Sequence, residues 1–434
     1  MKPNQPKPHE LLLDLARSGD VVPYHGGPYG PVYLVNHPDY VAQVLQNSNY
    51  VRGSVMKLLL GDGLLSSEGP HWQRQRRLMQ PAFHQQSIAG FDSIITEAAG
   101  RTIRRWQTTA PAVIDVATEM TNLTLSIIAK ALLGVDLSRQ LDRLCEAIGI
   151  AAEDVGDFAC TLLLPDHRIS RSDKRRFDQA LETVDRFAYD LIDNYRRENS
   201  KTPILLSLLL GANGDNALDE RQMRDEIVTM LVAGHITATN MLVWTWHLLA
   251  EHRTVEERLH AELAQALGGR LPAASDVTNL PYTRMVLQES MRLYPPVWFI
   301  ARRALADDEI CCQRIEAEAT VVVSPYTLHR HPAYWEKPEQ FDPERFTPEL
   351  SAARPRYAFI PFGAGPHLCI GNHLAMLEGQ LVLATVAQRF RLTAVPGQPN
   401  QPEAGITLRS PRALAMKLVA RPETRDGAQP ETDG

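Results

Sequence analysis

A long apolar helical run dominates the middle of this chain. Between residues 217 and 250, apolar and small side chains recur at the spacing of one helix face; they are Ile227, Met230, Leu231, Gly234, Ala238, Met241, Thr245 and Leu248. A run of roughly 30 residues makes a helix about 45 Å long, which crosses a whole domain. Its middle must therefore lie deep in the interior, with the rest of the chain built around it.

The remaining sequence predicts one mainly α body with a small β portion. Most segments have helical periodicity, whereas residues 29–37 and 319–327 alternate like strands. A length of 434 residues with 44% hydrophobic residues is enough to fill a large core. Residues 1–10 are polar and contain prolines, which predicts a flexible arm, and residues 422–434 are predicted to form a disordered tail.

Charge and cysteine content exclude several classes of protein. The net charge is −6 and no long basic run occurs, which argues against nucleic acid as a partner. The five cysteines are odd in number and unpatterned, so we do not expect a disulfide framework. No apolar run has the length of a signal sequence or of a membrane span of about 20 residues. We therefore expect a cytoplasmic protein without a membrane anchor.

The centre of the long helical run has an unusual composition. It reads "LVAGHITATN" (231–240), and Gly234 costs ~1 kcal/mol relative to alanine inside a helix. Thr237 can donate back to the carbonyl four residues earlier and so bend or open the helix. Two interpretations remain open, namely close packing against a neighbouring helix, or a groove for a flat cofactor and a small second ligand.

A second amphipathic helix is predicted over 280–297, where Pro295 and Pro296 stop it. Glu289 and Arg292 are three residues apart and share one face, so they can form an ion pair. Such pairs are common on surfaces, but the apolar neighbours here indicate burial. A buried pair needs additional hydrogen bonds, which Arg345 in "FDPERF" can supply.

The stretch "PFGAGPHLCIGNHLA" (361–375) places Cys369 between glycine turns at the start of a helix. Metal ligation, redox chemistry or simple burial can each explain such a cysteine. Zinc held by His367, Cys369 and His373 is one inorganic alternative, but it lacks a fourth ligand.

Taken in order, these motifs resemble those of the cytochrome P-450 haem-thiolate monooxygenases, of the soluble bacterial type. The "AGHIT" break, the Glu289–Arg292 helix, the "PERF" turn and the "FGAGPHLCIG" loop follow the family's order, and "WQRQR" adds its Trp-x-x-x-Arg element. The resemblance extends from about Leu11 to Arg421. It implies a cytochrome P-450 fold, a triangular-prism helical body around a buried haem, with a single domain over residues 11–421.

The resemblance also implies roles for residues at the cofactor, which would be haem b with a cysteine thiolate as axial ligand. Cys369 would bind the iron, and helix amides after it would lower the pKa of its thiol. An anionic sulfur donates electron density to iron and promotes O–O cleavage. The other residues expected at the haem are Trp72, Arg76, Arg302, Phe362 and His367. Arg302 is chosen over Arg303 by its distance in sequence from "DDEI" (307–310).

Gly234, Ile236 and Thr237 would form the oxygen-binding groove. Family members usually have an acidic residue at the position of Ile236, where it helps deliver protons, a role that isoleucine cannot fill. Three functions therefore remain open. The favoured one is an oxygenase that inserts one oxygen atom from O₂ by hydroxylation or epoxidation. The others are a peroxide-using or rearranging haem-thiolate enzyme that needs no electron donor, and a non-catalytic haem or ligand sensor.

The expected substrate is a hydrophobic small molecule of unspecified class. By resemblance, its pocket is lined by Leu231, Val232, Ala233, Val297, Trp298, Phe299 and Ile406. A mobile lid is expected within 155–200. Electrons would come from a separate ferredoxin or flavodoxin with its reductase, and we expect a monomer.

Overall fold

The structure is a computed structural model. It describes residues 7–26, 30–161, 163, 174–198, 204–210, 218–398, 400–411 and 413–421. The predicted tail at 422–434 and the centre of the expected lid lie outside the described residues.

Helices make up most of the described chain. They are α1 (Pro8–Ala16), α2 (Pro38–Gln46), α3 (Lys57–Leu60), α4 (Gly69–Met79), α5 (Gln85–Ala89), α6 (Asp92–Thr109), α7 (Val116–Ile128), α8 (Leu141–Thr161), α9 (Lys174–Glu198), α10 (Ile204–Leu210), α11 (Glu220–Glu251), α12 (Arg253–Leu267), α13 (Pro281–Leu293), α14 (Pro325–Leu328), α15 (Pro348–Ala353) and α16 (Asn372–Ala387).

The strands form small sheets. They are β1 (Val21–His25), β2 (Pro31–Val35), β3 (Tyr50–Val51), β4 (Val113–Asp115), β5 (Ile300–Ala304), β6 (Asp308–Ile310), β7 (Gln313–Ile315), β8 (Thr320–Val323), β9 (Phe390–Ala394), β10 (Glu403–Ala404), β11 (Leu408–Arg409) and β12 (Ala415–Ala420). The largest sheet has the order β1-β2-β8-β5-β3, in which only β2 and β8 pair in parallel. The predicted mainly α class with a small β portion is confirmed.

The long central helix is α11, and its prediction from the 217–250 pattern is confirmed. It contains 32 residues and begins with a capping box in which Asp219 and Gln222 bond each other's backbone. Two helical segments, Val116–Leu133 and Glu220–Glu251, are long and apolar enough to cross a membrane, but 61% and 78% of their most apolar windows are buried inside the fold. Core helices of soluble proteins have the same properties.

Three sequence-based boundaries need correction. The strand predicted over 319–327 ends at Val323, because Ser324 caps a short helix that begins with Pro325. The strand predicted over 29–37 is shorter and spans Pro31–Val35. The arm predicted over 1–10 gives way to α1 at Pro8, since His9 is only 2% exposed and packs against aromatic rings.

A buried carboxyl group, Glu378, lies in the middle of α16. It is 1% exposed, and its Oε1 has no hydrogen-bond partner among the described residues. Burial raises the pKa of Glu378 to about 8, from an ordinary value of 4.5. The folded protein therefore keeps this proton at pH values where the unfolded chain has released it, and stability must fall as pH rises through that interval.

We expect Glu378→Gln to remove this part of the pH dependence. Between the two pKa values, each pH unit costs the wild type about 1.4 kcal/mol through this residue, whereas glutamine cannot ionise. As pH rises from 5 to 8, the free energy of unfolding in urea should therefore fall more for the wild type than for Glu378→Gln. A difference between variant and wild type that stays constant with pH would contradict the assignment.

Candidate active site

The loop that carries Cys369 immediately precedes α16. Gly363 and Gly365 have left-handed backbone angles, with φ of 69° and 70°, which residues with a Cβ rarely adopt. At Gly365, a Cβ would also collide with the carbonyl oxygen of Leu45 in α2. The Cys369 N–H donates to the Phe362 carbonyl at 3.0 Å. The loop therefore folds back on itself and fixes Cys369 just before the helix.

The surroundings of the Cys369 thiol disfavour its charged form. Its side chain has accessible surface, yet it lies deep in the protein, and burial raises the pKa of the thiol. The Gly371 N–H and the Arg76 guanidinium favour the thiolate without reversing this direction. The predicted effect of the helix amides is present, because the Gly371 N–H acts to lower the pKa of the thiol, but burial outweighs it. A thiol loses its proton when it coordinates a metal, so the charge on this sulfur depends on a bound ion.

Charged and aromatic side chains meet this loop at the start of α4. The His367 Nε2 lies 3.3 Å from a Glu68 oxygen, and its ring packs against Trp72 with centroids 4.2 Å apart. Arg52 donates from Nε to the other Glu68 oxygen at 2.8 Å. Burial acts to raise the pKa of Glu68, but hydrogen bonds from His367 and Arg52 outweigh it and lower the pKa to about 2. Glu68 is therefore an anion at neutral pH.

Arg302 in β5 reaches the same region. It is 8% exposed, and among the described residues its one hydrogen bond is to the Ala301 carbonyl at 3.0 Å. Burial and the nearby charge of Arg52 lower the pKa of Arg302 to about 10, with Glu68 acting against them. A guanidinium has five N–H donors, so a nearly buried one with a single carbonyl partner is suited to bind an anion.

Arg76 completes the arrangement, whereas Arg303 is not part of it. Arg76 donates from Nη1 to the Leu368 carbonyl at 2.9 Å, directly beside the cysteine. Arg303, which the sequence analysis rejected in favour of Arg302, instead pairs at the surface with Glu318 at 2.6 Å. The structure thus places Arg76 and Phe362 beside Cys369. Trp72, His367 and Arg302 lie around Glu68.

Sequence reasoning missed two members of this cluster, Arg52 and Glu68. The available signal was the position of Glu68 four residues before Trp72, across the first turn of α4. With Arg76 and Arg302, these residues supply three positive charges and one negative charge, which leaves +2 when His367 is neutral. The cluster therefore matches a ligand with two anionic groups.

The ion pair predicted on α13 is present and fully buried. Arg292 donates to Glu289 through Nε at 2.6 Å and through Nη2 at 2.8 Å, and both side chains are 0% exposed. The predicted third partner, Arg345, has its Nε 3.4 Å from the Glu289 Oε1. Arg292 also donates to three backbone carbonyls. This network ties α13 to the segment that leads toward the cysteine loop.

Some of the residues predicted to line a groove on α11 are partly exposed, and others are buried in the core. Four residues, Ala233, Gly234, Ile236 and Thr237, are partly exposed on a helix that is buried on both sides of them. Leu231 and Val232, predicted in the substrate pocket, are 0% and 3% exposed and belong to the core instead. Their side chains point to other faces of the helix, which a residue-by-residue resemblance does not resolve.

Gly234 and Thr237 have different structural roles. A Cβ on Gly234 would lie 2.6 Å from the Ile128 Cγ1 of α7, which supports the close-packing interpretation; Gly234 is also partly exposed, so its predicted place in the groove stays a prediction. The Thr237 hydroxyl donates to the Ala233 carbonyl at 3.0 Å, the back-bond that the sequence predicts. Ile236 packs against the main core cluster.

The other predicted pocket residues divide into two groups. Trp298 is 0% exposed, and its indole donates to the Gly405 carbonyl at 2.9 Å. It therefore belongs to the core beneath the largest sheet, and its assignment to the pocket is wrong. Val297 is 37% exposed, whereas Phe299 and Ile406 are half-buried, so these three remain available to a ligand.

The zinc alternative finds no support in the part of the chain that the structure describes. No group of three or more His, Cys, Asp or Glu side chains there is arranged to hold a metal ion. Single-sulfur ligation by Cys369, with the remaining ligands supplied by a cofactor, is compatible with this geometry.

Comparison with known proteins decides the family. The family model for cytochrome P-450 matches residues 2–416. The chain belongs to the cytochrome P-450 family. A cyclooctat-9-en-7-ol 5-monooxygenase of Streptomyces melanosporofaciens is 34% identical, with 90% of this chain and 86% of that protein covered. Pentalenene oxygenase of Streptomyces avermitilis is 30% identical, with 96% and 93% covered.

Solved structures agree with this assignment. The crystal structure of the cytochrome P-450DA haem domain superposes with a TM-score of 0.86 and 25% identity, covering 96% of this chain and 93% of that one. This P-450 therefore has the cytochrome P-450 fold, uses haem b with a cysteine thiolate as axial ligand, and is an oxidoreductase that incorporates oxygen from O₂. Its relatives place it among bacterial enzymes of secondary metabolism.

The residues present fit haem b. Its two propionates carry two negative charges, and the cluster around Arg52, Arg76 and Arg302 carries +2. The His367 Nδ1 is buried and has no partner among the described residues; because Nε2 donates to Glu68, Nδ1 can also donate to a propionate only in the imidazolium form, which brings the cluster to +3. Arg302 has unused donors in a nearly buried position. These groups satisfy the requirement that a buried anion be paired and hydrogen-bonded.

Proposed function

We propose that this cytochrome P-450 hydroxylates or epoxidises a cyclic terpenoid, with electrons from a separate ferredoxin or flavodoxin and its reductase. The names of its relatives support this substrate class, since pentalenene oxygenase and cyclooctat-9-en-7-ol 5-monooxygenase act on ring hydrocarbons or ring alcohols. The partly exposed residues available to a ligand agree in chemistry, because most are apolar; they are Ala233, Ile236, Thr237, Val297, Phe299 and Ile406. We further propose that the protein is a cytoplasmic monomer.

One observation carries the cofactor assignment, namely that the Cys369 side chain is accessible and lies beside Arg76, a member of the +2 cluster. Cys369 is the proposed axial ligand, and Trp72, Arg76, Arg302 and His367 are proposed to hold the propionates. Guanidinium groups suit this role because they stay charged and donate several hydrogen bonds to one carboxylate. Phe362 holds the loop closed through its carbonyl and packs against the core.

When bound, the haem activates O₂ with electrons delivered one at a time. The protein's part is to exclude water, orient the substrate and supply protons. Thr237 is the proposed donor on α11, since its hydroxyl lies on the partly exposed face and is held by the Ala233 carbonyl. Ile236 has no proton to give, so water or a substrate hydroxyl must bring protons to that point.

Substrate screening and turnover test this proposal together. The purified haem protein is titrated with cyclic terpene hydrocarbons and alcohols, and with fatty acids and steroids as comparison, while the haem spin state is followed. Binding by terpenes and product formation with O₂, ferredoxin and reductase are expected. Product with peroxide alone, and none with reductant, would favour the alternative chemistry; no turnover under either condition would favour a sensor.

We expect Thr237→Val to uncouple electron use from product formation. Valine has the shape of threonine without the hydroxyl, so less consumed reductant should end in product and more in peroxide. Thr245→Val is a matched control, because the Thr245 hydroxyl makes the same back-bond on α11, to Met241 at 2.7 Å, but is 0% exposed. Equal ratios of product to consumed reductant in both variants and the wild type would refute the role of Thr237.

A further inference from the structure

Three consecutive side chains at the start of α11 bind one short segment of backbone. Arg224 donates from Nη2 to the Leu59 carbonyl at 3.3 Å. The next residue, Asp225, accepts from the Asp62 N–H at 2.8 Å, and Glu226 accepts from the Leu64 N–H at 3.0 Å. All three side chains belong to residues that are less than one tenth exposed: 8%, 3% and 0%. The segment 59–64 is therefore clamped onto α11.

The clamp requires the two glycines of "GDG" (61–63). A Cβ on Gly61 would collide with the Asp225 carboxylate, and one on Gly63 would collide with the Thr229 hydroxyl and approach the Asp225 carbonyl. The segment thus lies directly on the helix surface, with no space for an intervening side chain.

The same backbone continues into the propionate cluster. Arg52 donates to the Leu64 and Leu65 carbonyls at 3.2 Å and 3.0 Å, and to the Ser67 carbonyl at 2.5 Å. Its Nε bonds Glu68, which in turn contacts His367. An unbroken chain of hydrogen bonds therefore connects Glu226 to the side chains proposed to hold the haem.

Glu226 is buried with one carboxyl oxygen that has no hydrogen-bond partner among the described residues. Its Oε1 and the Thr229 hydroxyl are buried without a partner in the part of the chain that the structure describes. Burial, helped by Asp225 and opposed by the Leu64 N–H, raises the pKa of Glu226 to about 8. Glu226 is therefore mainly a neutral acid at pH 7.

The charged groups around this position come from several elements. Arg224 and Asp225 flank Glu226 on α11, and Asp185 on α9 accepts from the Arg224 Nε at 2.7 Å. On the segment side, Lys57 pairs with the Asp62 side chain, and His71 in α4 contacts the Asp62 carbonyl. None of these is within hydrogen-bonding distance of Glu226. Ionisation of Glu226 thus adds an uncompensated negative charge next to Asp225.

We propose that Glu226 is a positioning residue for the cofactor. Its hydrogen bond from the Leu64 N–H holds segment 59–64, and with it the adjoining residues 65–68, so that Arg52, Glu68 and His367 stay aligned for the haem propionates. The inference rests on the proposed role of that cluster. Loss of the Glu226 proton favours entry of water and displacement of the segment, because a buried unpaired charge is costly. Haem retention should therefore weaken as pH rises through neutrality.

Haem transfer to an excess of apomyoglobin tests this. We expect the rate of haem loss from the wild type to rise roughly tenfold between pH 6.5 and 9, the change that one pK unit of coupling produces. Glu226→Gln should give a nearly flat profile, because the amide still accepts from Leu64 but cannot ionise. Glu378→Gln is the matched control: it removes the other buried acid with a pKa near 8 and should keep the wild-type rise.

Hydrogen exchange of the holoprotein gives a second measurement. Protection of the Asp62 and Leu64 amides should fall with rising pH in the wild type, relative to Glu226→Gln at the same pH. A flat wild-type rate of haem loss, or parallel profiles for the wild type and Glu226→Gln, overturns the inference while the proposed function stands. A chain that takes up no haem in any variant overturns both.

Discussion

Replacement of Cys369 by serine is expected to remove the reduced carbonyl absorption typical of thiolate-bound haem and to stop oxygen insertion. Serine is nearly the same size, so the loop held by the Cys369 N–H and the Phe362 carbonyl should still form. Its hydroxyl does not ionise as a thiol does, and the electron donation that thiolate provides is lost. Mutation of a residue that only supports a metal ligand typically lowers metal affinity or activity about 10–100-fold. Loss of the ligand itself should therefore lower product formation by more than about 100-fold.

The chain provides its own controls for this experiment. Cys311 and Cys312 are exposed in the turn between β6 and β7, so Cys311→Ser and Cys312→Ser should keep both the absorption and the activity. An unchanged reduced carbonyl spectrum in Cys369→Ser would rule out Cys369 as the axial ligand. The haem content of each variant is measured as well. It distinguishes loss of the thiolate ligand from loss of the whole haem.

Arg292→Ala is expected to cause the largest loss of stability among the changes considered. The variant leaves Glu289 at 0% exposure with Arg345 as its ion-pair partner and Arg354 as a further nearby charge. It also leaves three backbone carbonyls without the Arg292 donor. Breaking a buried ion pair from one side costs about 3–5 kcal/mol. The free energy of unfolding in urea should fall by at least that amount, or the variant should fail to accumulate as folded protein.

Two further variants separate the charge from the packing. Glu289→Gln combined with Arg292→Met removes both charges, so it should recover part of the loss. Arg303→Ala breaks the exposed pair with Glu318 and should cost less than about 1 kcal/mol. If Arg292→Ala and Arg303→Ala prove equally mild, the buried network has no special structural role.

The sequence was sufficient for those features that depend on local pattern. α11 follows from its apolar period, and the Glu289–Arg292 contact follows from a three-residue spacing on one helix. The cysteine loop combines glycines, a histidine and a helix start in a rare order, so its geometry could be inferred from the motif. Each of these contacts joins residues close in sequence.

Features that depend on long-range packing could not be inferred in the same way. Whether Gly234 borders a ligand or a helix depends on Ile128, more than one hundred residues earlier. Trp298 is buried because α1, the largest sheet and the Gly405 carbonyl meet around it. The pKa of Cys369 depends on the balance between burial and two nearby donors, which motif position alone does not reveal.

The contact between Gly365 and Leu45 has a consequence for the order of folding. The cysteine loop closes against the carbonyl of a residue that leaves the ribosome some 320 positions earlier, and contacts of such separation form late because closing a long chain segment is entropically unfavourable. We therefore expect iron to be captured only after α2 has docked. A nascent chain that stops before residue 361 should form most of its helices but should not bind haem.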